Sequence, residues 1–172
     1  MIRQLKGSGR CAIVVPNSIL FGGGVGARIK QELLSECNLH TVVRLPDGAF
    51  EPYTAIPSNL LFFEKTGRTS EVWFYEVPPP AGRKKYSKTK PMRYEEFDDC
   101  RSWWTVREEN ERAWRVPIAQ LESTDFNLDL RNPNRPDDLA HRPPADLLAE
   151  LVQSEQTILE LLNALTAEVS RR

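Results

Sequence analysis

The chain has 172 residues, 40% hydrophobic and 27% charged, with a formal net charge of -1, enough for one ordinary domain with a buried core and an appendage. Such a balance excludes a nucleic-acid binder announced by bulk charge. No apolar run approaches the roughly 20 residues needed to cross a bilayer and the first residues lack a signal-peptide layout, so the chain reads as cytoplasmic, with no membrane partner.

Cys11, Cys37 and Cys100 are odd in number and form no Cys-x-x-Cys pair, which argues against a disulfide framework and a structural zinc site. His40 and His141 are the only histidines, thin material for a metal centre or a Ser-His-Asp triad.

In chain order, MIRQLKGSGR reads as the last turn of a helix ended by Gly7 and Gly9. A helix of one turn is marginal because nucleation is costly, so the chain reads as starting inside a larger fold. CAIVV at 11–15 is all apolar, as in a strand buried on both faces. Pro16-Asn17 and GGGVG at 22–26 follow, then ARIKQELLSEC, which places Ile29, Leu33 and Leu34 on one helical face. LHTVVRL at 39–45 is a second strand, completing a strand-loop-helix-strand unit of a parallel sheet.

The stretch AFEPYTAIPSNLLFFEK, residues 49–65, sets Phe50, Pro52, Tyr53 and Pro57 in a loop ahead of an apolar strand. Aromatics in a proline-braced loop either offer a stacking face to a flat ligand or cap the core. SNLLFFEK and EVWFYEV are separated only by TGRTS, which predicts a hairpin, an antiparallel pair closing the sheet. Beyond Pro78-Pro79-Pro80 the composition turns polar, with Trp103, Trp104 and Trp114 among charged residues. Residues 78–135 read as an irregular, partly helical excursion over one sheet edge. Inside it, RKKYSKTK holds five cations in residues 83–90 around Tyr86, and EEFDD follows at 95–99. A basic loop with an interleaved aromatic holds phosphates in some proteins; the alternative is a solvated loop balanced by its acidic neighbour.

RNPNRPDDLAHRPP reads as a linker. From Ala145 glycine and proline vanish, and Leu148, Leu151, Ile158, Leu162, Leu165 and Val169 recur at three- and four-residue steps, broken only at Glu155. This is a heptad seam for a partner helix, or else one helix packed on its own domain. Leu147, Val152, Leu159 and Leu161 widen the stripe beyond a single two-stranded contact.

Two motifs fail their tests. GGGVG lacks the G-x-G-x-x-G and G-x-x-x-x-G-K-[ST] patterns, and no acidic residue ends the following strand, so it reads as a flexible strand-to-helix connection. RNPNR and HRPPA each carry only pieces of the Asn/Asp-Pro-Pro-aromatic motif of amino-methyltransferases.

The succession from GRCAIVVPNSILFGGGVGARIKQELLSECNLHTVVRLPDGAFEPYTAIPSNLLFFEK through EVWFYEV, SKTKPMRYEEF and FNLDLRNPN resembles the later half of the DNA adenine-N6 methyltransferase subunit of type I restriction-modification systems. The resemblance implies an α/β fold: the later half of a Rossmann-type S-adenosylmethionine-dependent sheet with a closing antiparallel strand pair, plus a long C-terminal helix. It implies that Phe50 stacks on a flipped adenine, with Pro52 and Tyr53 supporting the loop, and that the 148–169 seam docks on a DNA specificity subunit, with a restriction subunit and DNA in the complete assembly. The cofactor-binding glycine turn and the Asn-Pro-Pro-aromatic motif of the family are both absent from these residues. The resemblance therefore implies no S-adenosylmethionine binding and no catalysis by the chain alone.

The expected organisation is a catalytic-domain half at 1–77, an edge-covering segment and linker at 78–143, and a coiled-coil-like helix at 144–172. The alternatives are a non-catalytic interaction module and a truncated gene remnant.

Overall fold

A computed structural model describes residues 2–79, 82, 85–134 and 144–169, with side chains in the last helix described at 148, 150 and 151–163. The chain divides into two units, Met1–Arg135 and Pro136–Arg172. After a short 3-10 turn at Ile2–Gln4, the first unit runs β1 (Arg10–Pro16), α1 (Asn17–Phe21), α2 (Val25–Glu36), β2 (Asn38–Arg44), β3 (Ser58–Glu64), β4 (Glu71–Glu76), α3 (Asp98–Val106), β5 (Ala113–Pro117) and α4 (Ile118–Ser123). The second holds α5 (Pro144–Val169). Among the described residues no helix is long and apolar enough to cross a membrane.

The strands form one mixed sheet in the order β1-β3-β2-β4-β5. β3 is antiparallel to both β1 and β2, so those two run the same way, and β4 is parallel to β2. The β1-α2-β2 crossover therefore exists as the sequence predicts, but with a strand inserted between its arms.

The predicted hairpin does not form: β3 and β4 are not neighbours. The reason lies in the link between them. Thr69, 1% exposed, accepts the Leu39 N–H and donates to the Cys37 carbonyl, both at 2.8 Å, while its own N–H reaches the Leu34 carbonyl at 2.9 Å. The link is thereby pinned to the start of β2, and the chain crosses to the far side of that strand. A buried hydroxyl that satisfies two backbone groups outweighs the tendency of a short link to turn back on itself.

Alternation along the strands feeds two apolar layers. Val42, Leu61, Phe63 and Phe74 face the layer under α2, where Leu33, Leu34 and Leu39 complete a core with Trp114 and Leu121. Val43, Tyr75 and Val77 face the other layer with Cys100, Trp103 and Ala113. Each fully buried side chain of this size contributes about 1.5–3 kcal/mol.

Three further expectations are corrected. β1 is an end strand, and Val14 is 51% exposed, so it is not buried on both faces. On α2 the buried positions are Ala27, Lys30, Leu33 and Leu34, whereas Ile29 points outward at 53% exposure. The 78–135 stretch supplies a fifth strand, β5, antiparallel to β4, and its tryptophans are structural. Trp114 stacks on Phe74 at 5.2 Å, and the Trp103 indole N–H donates to the Glu108 carbonyl at 2.9 Å.

Candidate functional site

Ligands of open α/β sheets gather at the carboxyl ends of the parallel strands. Here those ends are Pro16 of β1, Arg44 of β2 and Glu76 of β4. Between β2 and β3 lies the aromatic loop, residues 45–57. Its first residues are tied by the Leu45 N–H to the Ser58 carbonyl (3.3 Å), and its last by the Asn17 N–H to the Pro57 carbonyl (2.8 Å). Within it, Ala49, Glu51, Tyr53 and Thr54 donate N–H groups to Pro46, Gly48, Phe50 and again Phe50, at 2.9–3.3 Å. The loop is thus a chain of turns rather than a slack tether, and the Glu51–Pro52 peptide is cis.

One carboxylate joins both ends of this loop. Asp129 accepts from Arg44 Nη2 on Oδ1 at 2.8 Å and from Asn17 Nδ2 on Oδ2 at 3.3 Å. Asn17 Oδ1 in turn accepts from Asn59 Nδ2 at 3.2 Å. Arg44 also lies 3.6 Å from Glu76, and its guanidinium sits 5.8 Å from the Trp114 ring centroid.

Further along, Asn132, 4% exposed, donates to Glu76 at 3.1 Å and to the Glu111 carbonyl at 2.9 Å. Residues 127–134 therefore form a strap across the carboxyl ends of β1, β2 and β4. RNPN is structural and not linker, while 135–143 lie outside the described residues. The strap is also held by Leu128, whose N–H donates to the Leu20 carbonyl at 3.0 Å, the same oxygen that accepts from Lys30 Nζ at 2.7 Å. Burial lowers the Lys30 ammonium below its ordinary range, against the pull of Asp125.

The Asp47 carbonyl accepts the Tyr86 N–H at 3.0 Å, and Gly48, at φ +74°, packs against the Tyr86 backbone. Tyr86 is 1% exposed and donates its hydroxyl to Glu96. It is an anchor, not an exposed ring in a basic loop.

Residues 1–141 match the N-6 DNA methylase family. The chain belongs to that family. It is 48% identical over 172 residues to the type I restriction enzyme EcoEI methylase subunit of Escherichia coli, covering 96% of this chain and 35% of the relative. It also resembles the crystal structure of a modification subunit from Vibrio vulnificus YJ016, with 49% identity, a TM-score of 0.76, and coverage of 81% of this chain and 32% of that one. A structure describing complex assembly and conformational transition of the type I restriction-modification system gives 36% identity, a TM-score of 0.72, and coverage of 97% and 37%. The chain spans about a third of the length of these relatives.

In this N-6 DNA methylase chain the expected site residues fall as follows. Phe50 is half-buried, and it is Tyr53 that is open to solvent, at 93% exposure, beside exposed Pro52. On α5, Leu148, Leu151, Ile158 and Leu162 are exposed, whereas the side chains of Leu165 and Val169 lie outside the described residues. The glycine run links α1 to α2 instead of joining a strand to a helix. Among the described residues no cluster of His, Cys, Asp and Glu could hold a metal. Sequence reasoning missed Asn17, Arg44, Asn59 and Asp129. Their only common signal is position, since each is a polar residue beside a strand end or in the polar stretch that follows β5.

Proposed function

We propose that this chain is the C-terminal portion of the methylase subunit of a type I restriction-modification system, acting on adenine N6, and that its 45–57 loop presents Phe50 to an adenine flipped out of DNA. The observation that carries the reading is the clamped aromatic loop at the carboxyl end of β2, in a chain of the N-6 DNA methylase family. The insertion of antiparallel β3 between β1 and β2 supports a Rossmann-type methyltransferase sheet. A flipped base needs an apolar face to replace the stacking it has lost, worth about 1–3 kcal/mol. The half-buried Phe50 ring suits this role, with Pro52 and Tyr53 supporting the loop.

S-adenosylmethionine is the methyl donor implied by the family, but these residues do not fit it. Gly22–Gly24 connect two helices, and β2 ends in Arg44 rather than an acidic residue that could grip a ribose. We therefore assign the chain no step through that cofactor and no activity alone. Methyl transfer requires donor and amine in near-attack geometry.

Calorimetric titration with S-adenosylmethionine should be silent for the folded chain, and methyl transfer to DNA by the chain alone would refute this assignment. In a complete methylase, Phe50→Ala should raise the KM for DNA by about 5- to 150-fold, the equivalent of that stacking energy. An unchanged KM would end the stacking role.

The exposed apolar stripe of α5 favours docking on a DNA specificity subunit, in an assembly that also holds a restriction subunit and DNA. Ile158→Asp should abolish co-purification with the specificity subunit. The same stripe would equally serve a non-catalytic interaction module, and retention of the partner by the variant would leave neither docking role.

A further inference from the structure

We propose that the turn at 85–90, through Lys85, Lys88 and Lys90, binds DNA phosphates beside the base presented to the 45–57 loop; this rests on the reading of that loop given above. The placement of the turn is fixed. Tyr86, 1% exposed, donates its N–H to the Asp47 carbonyl at 3.0 Å and its hydroxyl to Glu96. Gly48 approaches so closely that a Cβ there would stand 2.6 Å from the Tyr86 carbonyl oxygen. Ser87 and Lys90 exchange N–H bonds to each other's carbonyl at 3.2 and 3.0 Å, closing a tight turn that holds Lys88 between them. The basic turn and the aromatic loop are backbone neighbours.

The charges of the turn are also uncommitted. Lys85, Lys88 and Lys90 are exposed, and among the described residues they enter no ion pair. The acidic stretch that was the obvious counter-charge is mostly engaged elsewhere. Glu96 accepts from Tyr86, Asp98 pairs with Arg101 at 3.0 Å, and Asp99 pairs with Arg112 at 2.8 Å. Glu95 alone stays exposed without such a partner among the described residues.

Three unneutralised ammonium groups on a short rigid turn match a row of phosphates, which lysine binds as a point charge. Following the chain from Phe50 back to Asp47, across the Tyr86–Asp47 hydrogen bond and on from Tyr86 to Lys88, at no more than about 3.6 Å per residue, Lys88 lies within roughly 25 Å of Phe50. That is about seven nucleotide steps at 3.4 Å each. An acidic protein surface is the competing occupant, but it would not account for the fixed placement beside a base-handling loop.

The test is an anisotropy titration of the full chain with a duplex of about 20 base pairs carrying one unpaired adenine, between about 50 and 200 mM salt. Binding should weaken linearly in log-log form with salt. The triple variant Lys85→Gln, Lys88→Gln, Lys90→Gln should reduce the slope by roughly 2–3, at about 0.9 per lost phosphate contact. The corresponding triple Lys→Arg variant should restore it. If the Gln triple melts early, Lys88→Gln alone should still reduce the slope by about 1.

Phe50→Ala should keep the slope and lose only the preference for the unpaired adenine over a fully paired duplex. Failure of the chain to bind DNA at the lowest salt, or a slope that neither set of Gln substitutions changes, overturns the inference. A lysine-dependent slope with no effect of Phe50 sustains the inference and sinks the stacking reading instead.

Discussion

Thr69→Val replaces a hydroxyl by a methyl of nearly the same volume, so it opens no cavity and isolates the hydrogen bonds. The hydroxyl accepts from the Leu39 N–H and donates to the Cys37 carbonyl, both at 2.8 Å, beside two residues that are 0% exposed. Water cannot take over either bond. Each orphaned buried group costs about 1–3 kcal/mol, giving about 2–6 kcal/mol for the pair. A domain of this size loses about 4 °C per kcal/mol, so the melting temperature should fall by about 8–24 °C.

Thr69→Ser keeps both bonds and deletes one methyl, so its loss should stay near 1 kcal/mol. Thermal unfolding followed by circular dichroism checks both variants. A Val variant melting within about 2 °C of the parent, or a Ser variant as damaged as Val, would refute the claim that this hydroxyl directs the β3-β4 crossover.

Asp129→Ala should cost about 1.5–3 kcal/mol, because it strips a charged partner from Arg44, which is only partly screened and keeps Glu76 as second neighbour. Amide hydrogen exchange across 45–57 should quicken in that variant, and unaltered exchange would contradict the clamp. Burial and the adjacent Arg107 guanidinium hold His40 below its ordinary value of 6.5. The unfolded chain therefore binds the proton more readily, and stability present above pH 6.5 is lost as pH falls below it; His40→Gln should flatten the denaturation midpoint between about pH 5 and 7. Burial also pushes the Cys100 thiol up to about 11, leaving about one thiolate in a thousand at pH 8. Iodoacetamide should then label half-exposed Cys11 in the native chain and reach Cys100 only on unfolding, as read by mass spectrometry.

The elements with strong periodicity were legible. α2 and the cores of β2, β3 and β4 fall where alternation and helical spacing put them. Pairing was not legible, because it turned on Thr69, a single polar residue in a link whose length alone suits a hairpin. β5 was missed because AWRVP sits among charged residues and takes its strand character from packing Trp114 against Phe74, an override by tertiary context. The proline-braced aromatic loop was visible as a composition, but which of its rings lies open was not. Burial depends on how the turns fold back, and they turn Tyr53 outward while Phe50 is half-covered.

The clamp residues explain why such a loop needs a distant strap. A loop whose two ends are fixed only by β2 and β3 can still rock about that hinge, since its turns bond mainly to one another. Asp129 removes this freedom by bonding Arg44 on one side and Asn17 on the other, while Asn17 binds both Pro57 and Asn59 at the loop's far end. Rocking would then have to break a charge-assisted bond of 2.8 Å in a partly dry setting. Among the described residues the buried Arg44 Nε has no hydrogen-bond partner and the side chain is held through its terminal Nη atoms, so the restraint depends on the two carboxylates Asp129 and Glu76. Glu76 is in turn fixed by Asn132 from the same strap. Loss of Asn132 should therefore loosen the aromatic loop through Glu76 and Arg44 without touching it, and Asn132→Ala should raise exchange in 45–57 less than Asp129→Ala does. Equal effects would mean that the strap acts as one rigid body rather than through the Arg44 pair.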